Sequence, residues 1–165
     1  MKTIHLLRHA KSCWDDTSLA DDKRPLNARG VKSCKIMAPL IVQAGCDFKR
    51  VYVSPAIRAQ STINGVLNEL AAPLQWRTTK ALYCFDVDEL LAWVRQVDDG
   101  INTMMVVAHN PAITDLCNLL GNEYIDNVPT CAYVQLHCEV DSWQQLDENC
   151  AVVTHFITPK VGQMI

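Results

Sequence analysis

The sequence predicts an α/β domain in which helices cover both faces of a mostly parallel β-sheet. Short apolar segments typical of buried strands alternate with longer segments in which apolar residues recur at helical spacing. Two of the apolar segments, residues 4–9 and 103–109, end on a histidine. There is no internal repeat and no low-complexity segment, so we expect one domain over residues 1–165.

Composition excludes several classes of protein. Of the 165 residues 49% are hydrophobic and 20% charged, and the formal net charge is −3, which argues against disorder and against general nucleic-acid binding. No apolar stretch approaches the ~20 residues of a membrane span, and the N-terminal segment runs directly into the charged Arg8, unlike a signal peptide. We therefore expect a cytoplasmic protein without nucleic-acid or membrane partners.

The eight cysteines have neither the spacing of a metal site nor the context of a disulfide framework. No Cys-x-x-Cys occurs. Most cysteines are therefore expected to be reduced core residues. Cys13 is the exception, because it falls in a polar segment.

The first quarter of the chain predicts a strand, a loop and a helix. Residues 4–9 are apolar enough for a central parallel strand, and the polar residues 12–25 form a surface loop long enough to suggest a function. Asn27 can cap a helix that runs to Val42 and ends at Gly45. Pro39 predicts a kink or a shorter first segment in that helix.

The rest of the chain continues the alternation of strands and helices. The predicted strands are 50–55, 74–79, 103–109, 132–138 and 151–157, and the predicted helices are 56–70, 89–97 and 112–120.

Basic side chains follow three of the predicted parallel strands. Arg8 and His9 end the first, Arg58 lies in the first turn after the second, and His109 ends the strand at 103–109. Since carboxyl ends of parallel strands meet at one edge of a sheet, these four residues are expected to form a cup for a dianion such as phosphate. Their positive field would lower a neighbouring histidine pKa below about 6.5, leaving a neutral imidazole able to attack phosphorus.

No glycine-rich phosphate loop and no metal-ligand spacing is present, so these side chains would have to neutralise the phosphoryl charge themselves. We expect no cofactor and no metal. The alternative is structural. It comprises a solvated strand end at Arg8 and His9, an exposed first-turn position for Arg58, a satisfied strand-end histidine at His109, and an ion pair of Arg24 with Asp21 or Asp22. The remaining histidines, His5, His137 and His155, lack partner motifs and are expected to be structural or solvent-facing, whereas Trp14 could contact substrate.

Four segments together resemble the histidine phosphatase superfamily, and within it the SixA-type phosphohistidine phosphatases, whose fold is phosphoglycerate mutase-like. They are Leu7-Arg8-His9-Ala10-Lys11-Ser12, Arg24-Pro25-Leu26-Asn27-x-x-Gly30, Val53-Ser54-Pro55-Ala56-x-Arg58-Ala59-x-x-Thr62 and Val107-Ala108-His109-Asn110-Pro111. Thr158-Pro159-Lys160 resembles the closing segment of the small type, and no cap insertion is visible.

The resemblance implies that His9 is the nucleophile and is transiently phosphorylated. It also implies that Arg8, Arg58 and His109 bind and neutralise the phosphoryl group. Arg24, together with Ser12 from the first segment, is expected to bind substrate near the site mouth.

The larger, mutase-type members of the superfamily carry a general acid near the site, and we find no equivalent in this sequence. Segment 81–85 carries no carboxylate where mutase-type relatives place one, and Asp16, Asp22, Asp86 and Asp88 are nearby candidates only. This weakens mutase chemistry and favours a hydrolase.

Three functions remain open. The first is a metal-independent phosphatase acting on protein phosphohistidine, in a phosphotransfer domain or phosphocarrier. The second is a phosphomonoesterase for a small phosphorylated substrate. The third is a non-catalytic phosphate-binding module, which would not need a nucleophile.

Overall fold

The computed structural model describes residues 1–160, and the last five residues of the predicted 1–165 domain lie outside this range. Its strands are β1 (Lys2–Arg8), β2 (Val51–Val53), β3 (Arg77–Thr78), β4 (Thr103–Ala108), β5 (Tyr133–Cys138) and β6 (Ala151–Ile157). Its helices are α1 (Ala28–Gln43), α2 (Ile57–Glu69), α3 (Val87–Arg95) and α4 (Ala112–Leu120). Short 3-10 turns lie at Asp21–Lys23, Lys80–Leu82 and Trp143–Gln145.

The six strands form one sheet in the order β3-β2-β4-β1-β5-β6. The neighbours β3-β2, β2-β4 and β4-β1 pair in parallel, while β1-β5 and β5-β6 pair antiparallel. The fold is therefore α/β with a mostly parallel sheet, as predicted, and β1 lies in its middle. Arg8 pairs with Ala108 in the register of β1 with β4, so both strands end at the same edge.

Each face of the sheet carries its own apolar core. Along β1 the side chain of Leu7 joins Met37 of α1 and Ile63 of α2 on one face. Leu6 joins Leu116 of α4 on the other face. Successive side chains of β1 therefore pack against helices on opposite faces of the sheet, as expected. Burying one such side chain stabilises the fold by roughly 1.5–3 kcal/mol.

Several predicted elements differ in extent from those observed. The strand predicted at 50–55 forms only at Val51–Val53, and the helix predicted at 89–97 lies at Val87–Arg95. The strand expected at 74–79 pairs only at Arg77–Thr78, because its partner β2 offers three residues and Leu74 is exposed. Helix α1 is not shortened at Pro39 but continues to Gln43. Pro39 removes the hydrogen bond to the carbonyl of Lys35, and both residues are exposed, so that carbonyl remains accessible to water.

Helix α1 otherwise begins and ends as predicted. The Asn27 side chain accepts a hydrogen bond from the Gly30 N–H at 2.8 Å. The chain turns at Gly45, whose φ of 101° favours glycine.

The expectation for the cysteines is confirmed: six of the eight are buried, and Cys13 and Cys150 are partly exposed. Within residues 1–160, no helix is both long and apolar enough to cross a membrane.

Candidate active site

The backbone around His9 is fixed by hydrogen bonds to three neighbouring segments. The His9 N–H donates to the Ala108 carbonyl at 3.2 Å, and the Cys131 N–H donates to the His9 carbonyl at 3.0 Å. The N–H of Ala10 donates to the Thr62 hydroxyl of α2 at 2.8 Å. The His9 side chain, 8% exposed, is therefore presented by a rigid turn at the end of β1.

The hydrogen bonds of the His9 ring identify its tautomer. Nδ1 lies 2.8 Å from the Ala10 carbonyl oxygen, which can only accept, so Nδ1 carries the proton. Nε2 accepts from Arg58 Nε at 3.4 Å and so bears the lone pair. The pKa of His9 is lowered to about 4, chiefly by burial and further by the charges of the nearby arginines, while the bond to the Ala10 carbonyl opposes the shift. At neutral pH His9 is a neutral imidazole whose free lone pair lies on Nε2.

Arg58 is buried in the first turn of α2, with 2% of its surface exposed. Besides the bond to His9, its Nη2 lies 3.4 Å from Nδ1 of His109. Its Nη1 donates to the Asp21 carbonyl oxygen at 2.6 Å, and Nη2 to Asp21 Oδ2 at 2.9 Å. The alternative of an exposed first-turn arginine is therefore wrong.

His109 follows β4 and is fully buried, with its ring centroid 5.1 Å from that of His9. Since the guanidinium of Arg58 can only donate, Nδ1 accepts and Nε2 donates to the Ser54 hydroxyl at 2.8 Å. Burial lowers the pKa of His109 to about 3, with further contributions from His9 and Arg58. Ser54, itself fully buried, thus orients the imidazole of His109.

Arg8 is anchored at one end of its guanidinium. Its Nη1 donates to the Val128 carbonyl at 3.0 Å, whereas its buried Nε has no hydrogen-bond partner among residues 1–160. Burial and the charge of Arg58 lower the pKa of Arg8. Two guanidiniums near each other repel, and an anion between them would relieve that repulsion.

The loop at 12–25 brings Arg24 and Ser12 to the same region. Arg24 is 7% exposed, and its Nη1 donates to Ser12 Oγ at 2.6 Å. Its Nη2 forms an ion pair with Asp21 Oδ1 at 3.0 Å. The guanidinium carbon lies 3.5 Å from the centroid of the Trp14 ring. The predicted ion pair of Arg24 with Asp21 is thus present, and it joins Arg24 to Arg58.

Asp21 is the residue that sequence reasoning assigned no role in the site. Its carboxylate contacts both Arg24 and Arg58, and it also accepts from the Tyr83 hydroxyl at 2.6 Å. Partial burial alone would raise its pKa, but the bonds from Tyr83, Arg58 and Arg24 outweigh it and hold the pKa well below its usual range. Asp21 is therefore ionised at neutral pH.

The four carboxylates named as possible general acids lie elsewhere. Asp16 bonds the Ser18 hydroxyl, Asp22 pairs with exposed Lys23, and Asp86 caps α3. Asp88 is exposed in the first turn of that helix. The carboxylate that contacts the arginines is Asp21, which the sequence did not name as a candidate.

The structure thus brings His9, Arg58 and His109 into direct contact, and Asp21 links Arg58 to Arg24 and Ser12. Ser54 and Thr62 belong to one of the four motifs, but the sequence indicated no role for them. Asp21 and Tyr83 belong to no motif and no periodic pattern. The other histidines behave as expected: buried His5 bonds the Tyr133 hydroxyl, and partly exposed His137 and His155 contact threonines.

The arrangement offers a lone pair beside three arginines, which suits attack on a bound oxyanion. Among residues 1–160, no group of three or more His, Cys, Asp or Glu side chains is arranged to hold a metal ion.

Comparison with known proteins places the chain in a family. The chain is 28% identical over 112 residues to the phosphohistidine phosphatase SixA of Escherichia coli, covering 67% of this chain and 68% of the relative. The structure of SixA complexed with tungstate superposes with a TM-score of 0.77 at 23% identity, over 96% of this chain and 98% of that one.

A mycobacterial glucosyl-3-phosphoglycerate phosphatase complexed with VO3 shares the fold more distantly. Its TM-score is 0.67 at 12% identity, over 96% of this chain and all of that one. The phosphoglycerate mutase of Bacillus anthracis, with a TM-score of 0.59 at 18% identity over 82% of this chain and 87% of that one, has the same architecture. The family model of the histidine phosphatase superfamily, branch 1, matches residues 4–90, and the chain belongs to that superfamily.

Proposed function

We propose that this phosphatase hydrolyses phosphohistidine in a protein, without a metal ion, through a phosphoryl group carried transiently on His9. The observation that carries the proposal is the orientation of the His9 ring, whose Nδ1–H is held by the Ala10 carbonyl while Nε2 keeps its lone pair beside Arg58. A binding module would need the arginines but not this nucleophile.

The proposed reaction has two displacements at phosphorus. First, His9 Nε2 forms a bond to phosphorus while the bond from phosphorus to the substrate imidazole nitrogen breaks, and the departing ring takes a proton from solvent. Second, a water oxygen forms a bond to phosphorus while the bond from phosphorus to His9 Nε2 breaks, a water proton passes to solvent, and phosphate leaves. Arg8 and Arg58 would hold the phosphoryl oxygens in both steps, and His109 would join them by turning its Nε2–H from Ser54 to a phosphoryl oxygen.

The ionised Asp21 favours phosphohistidine over an alkyl ester as substrate. An alkyl ester must expel an alkoxide and gains much from a general acid, whereas the phosphorus–nitrogen bond is already labile. The carboxylate that reaches this site accepts three side-chain donors and holds no proton to give at neutral pH. Phosphohistidine in a phosphotransfer domain or phosphocarrier is therefore the proposed substrate class.

The experiment compares a phosphohistidine protein, an aryl phosphate and glycerol phosphate as substrates, with and without EDTA. We expect the first two to exceed glycerol phosphate by orders of magnitude, EDTA to have no effect, and rates to fall steeply as the leaving-group pKa rises. Similar rates on all three would reveal a competent acid and a small-molecule phosphomonoesterase.

The intermediate is tested by acid-labile, base-stable phosphate trapped on the chain. His9→Ala should lose both the trapped phosphate and the turnover, whereas His155→Ala, on the partly exposed β6, should retain both. Turnover above a few per cent in His9→Ala would exclude the nucleophile assignment.

A further inference from the structure

Exposed aromatic rings are few in this structure, and half of them lie against the candidate site. Among residues 1–160 the exposed aromatic side chains are Trp14 (69%), Phe85 (41%), Tyr124 (80%) and Phe156 (42%). Trp14 stacks on the guanidinium of Arg24, and the Phe85 ring centroid lies 5.1 Å from that of His109.

Phe85 is held in place by its neighbours but is not covered by them. Tyr83 packs edge-on against Phe85 at 5.3 Å between centroids and edge-on against His109 at 5.4 Å. The Tyr83 hydroxyl is fixed in turn by Asp21. The ring of Phe85 is thus positioned beside the buried His109 while part of its surface faces solvent.

The direction of the reaction brings a leaving group toward these rings. In an in-line displacement the leaving group lies opposite the nucleophile across phosphorus. His9 and Arg58 are both buried, so the group opposite His9 must project toward the open side of the site. Of the exposed aromatic residues within 1–160, Trp14 and Phe85 are the two that contact the site.

We propose that Trp14 and Phe85 form an aromatic rim that contacts a planar ring in the leaving group and so selects phosphohistidine by its imidazole. This inference rests on the proposed function for the identity of the ring. Stacking between aromatic groups contributes ~0.5–1.5 kcal/mol, which corresponds to roughly 2- to 12-fold in affinity or rate.

The first arm of the test measures binding and needs no turnover. Phenylphosphonate and methylphosphonate differ by one ring, and calorimetry gives the affinity of each. We expect the wild-type protein to prefer phenylphosphonate and this preference to fall several-fold in Phe85→Leu and in Trp14→Leu, which keep apolar volume but lose the ring. Tyr124→Leu, an exposed aromatic outside the site, is the matched control and should keep the wild-type ratio.

The second arm compares phosphohistidine with phosphoramidate, since both break a phosphorus–nitrogen bond and only the first carries a ring. The ratio of their kcat/KM values should fall in the two rim variants and hold in Tyr124→Leu. If both substrates slow equally in Phe85→Leu, this residue acts only by packing on His109, and the rim is excluded.

The two arms separate this inference from the proposed function. A ring preference in binding, lost in the rim variants, together with no turnover of phosphohistidine would support the rim and overturn the proposed substrate. Equal binding of the two phosphonates by the wild-type protein would overturn the rim, whatever the protein hydrolyses.

Discussion

At the scale of single residues, the site is governed by how its charges are neutralised. Arg24 and Arg58 both lie next to the carboxylate of Asp21, which supplies two of the contacts that a phosphoryl oxygen would make. Asp21 therefore keeps the two guanidiniums oriented, but an incoming dianion must compete with it.

Asp21→Asn should tighten inhibition by inorganic phosphate, on the order of 10-fold, because charge-assisted hydrogen bonds contribute about 1.5–3 kcal/mol each and the competing charge is lost. The measurement is the inhibition constant of phosphate against turnover. Asp22→Asn removes the same charge one residue later, where its partner is exposed Lys23. Equal shifts in both variants would mean that only net charge matters.

The residues of the site could be predicted where they lie at the end of a strand, but not where they lie in a loop. Arg8, His9 and His109 end buried strands, so their meeting at one edge followed from the parallel sheet. The loop 12–25 carries four aspartates without periodicity. Which of them reaches Arg58 depends on the path of the loop, and that path is set by long-range contacts such as the bridge of Ser12 to Leu26.

At the scale of elements, α1 packs against the chain that follows the nucleophile. A Cβ atom at Gly30, in the first turn of α1, would lie 2.3 Å from the carbonyl oxygen of Lys11 and 3.0 Å from its nitrogen. The glycine thus allows a close approach of helix and loop rather than an unusual backbone angle. Its place in the motif after Arg24 is explained by that contact.

Gly30→Ala should lower both kcat/KM, by more than 10-fold, and the melting temperature, because the backbone at Lys11 must move and His9 is two residues away. Helix propensity alone would predict the reverse, since alanine is favoured over glycine by about 1 kcal/mol. Gly100→Ala, where the nearest atom is a side-chain oxygen of Asp98 at 3.0 Å rather than backbone at 2.3 Å, should change both quantities much less. Unchanged activity and stability in Gly30→Ala would show that α1 can shift without disturbing the site.

Element boundaries were predictable to the extent that local chemistry decides them. Asn27 and Gly45 marked the ends of α1 because capping and left-handed turns are local. The length of the edge strand β3 was not predictable, since it depends on how many residues β2 exposes for pairing. Continuation of α1 past Pro39 depended on which side of the helix faces solvent.

At the scale of the whole molecule, the fold buries three histidines in neutral form. Burial lowers the pKa values of His5 and His9 to about 4 and that of His109 to about 3. In the unfolded chain each titrates near 6.5. Between pH 6.5 and pH 4 the unfolded state therefore binds protons that the native state excludes, so stability present above pH 6.5 is lost as pH falls.

Because the pKa of His9 is lowered, activity and stability should respond differently as the pH falls below 6.5. Since His9 of the free protein stays neutral well below pH 6.5, its nucleophilic form persists there. The value of kcat/KM, which reports the titration of the free protein, should therefore not fall with the ordinary titration of histidine. The acid limit of turnover should instead follow the loss of neutral His9 near pH 4 or the unfolding of the chain.

The unfolding free energy should fall between pH 6.5 and pH 4 with a slope of up to about 4 kcal/mol per pH unit, because each of three histidines contributes ~1.36 kcal/mol. Denaturant titrations at several pH values measure this slope. His5→Phe leaves two buried histidines and should reduce the slope by about a third, whereas His137→Phe, at a partly exposed position, should leave it unchanged. Asp21, whose pKa is also lowered, adds to the loss only below its usual range near 3.8, so it does not mask the histidines. A slope that is flat above pH 4, or identical in the two variants, would show that protonation of the buried histidines does not limit acid stability.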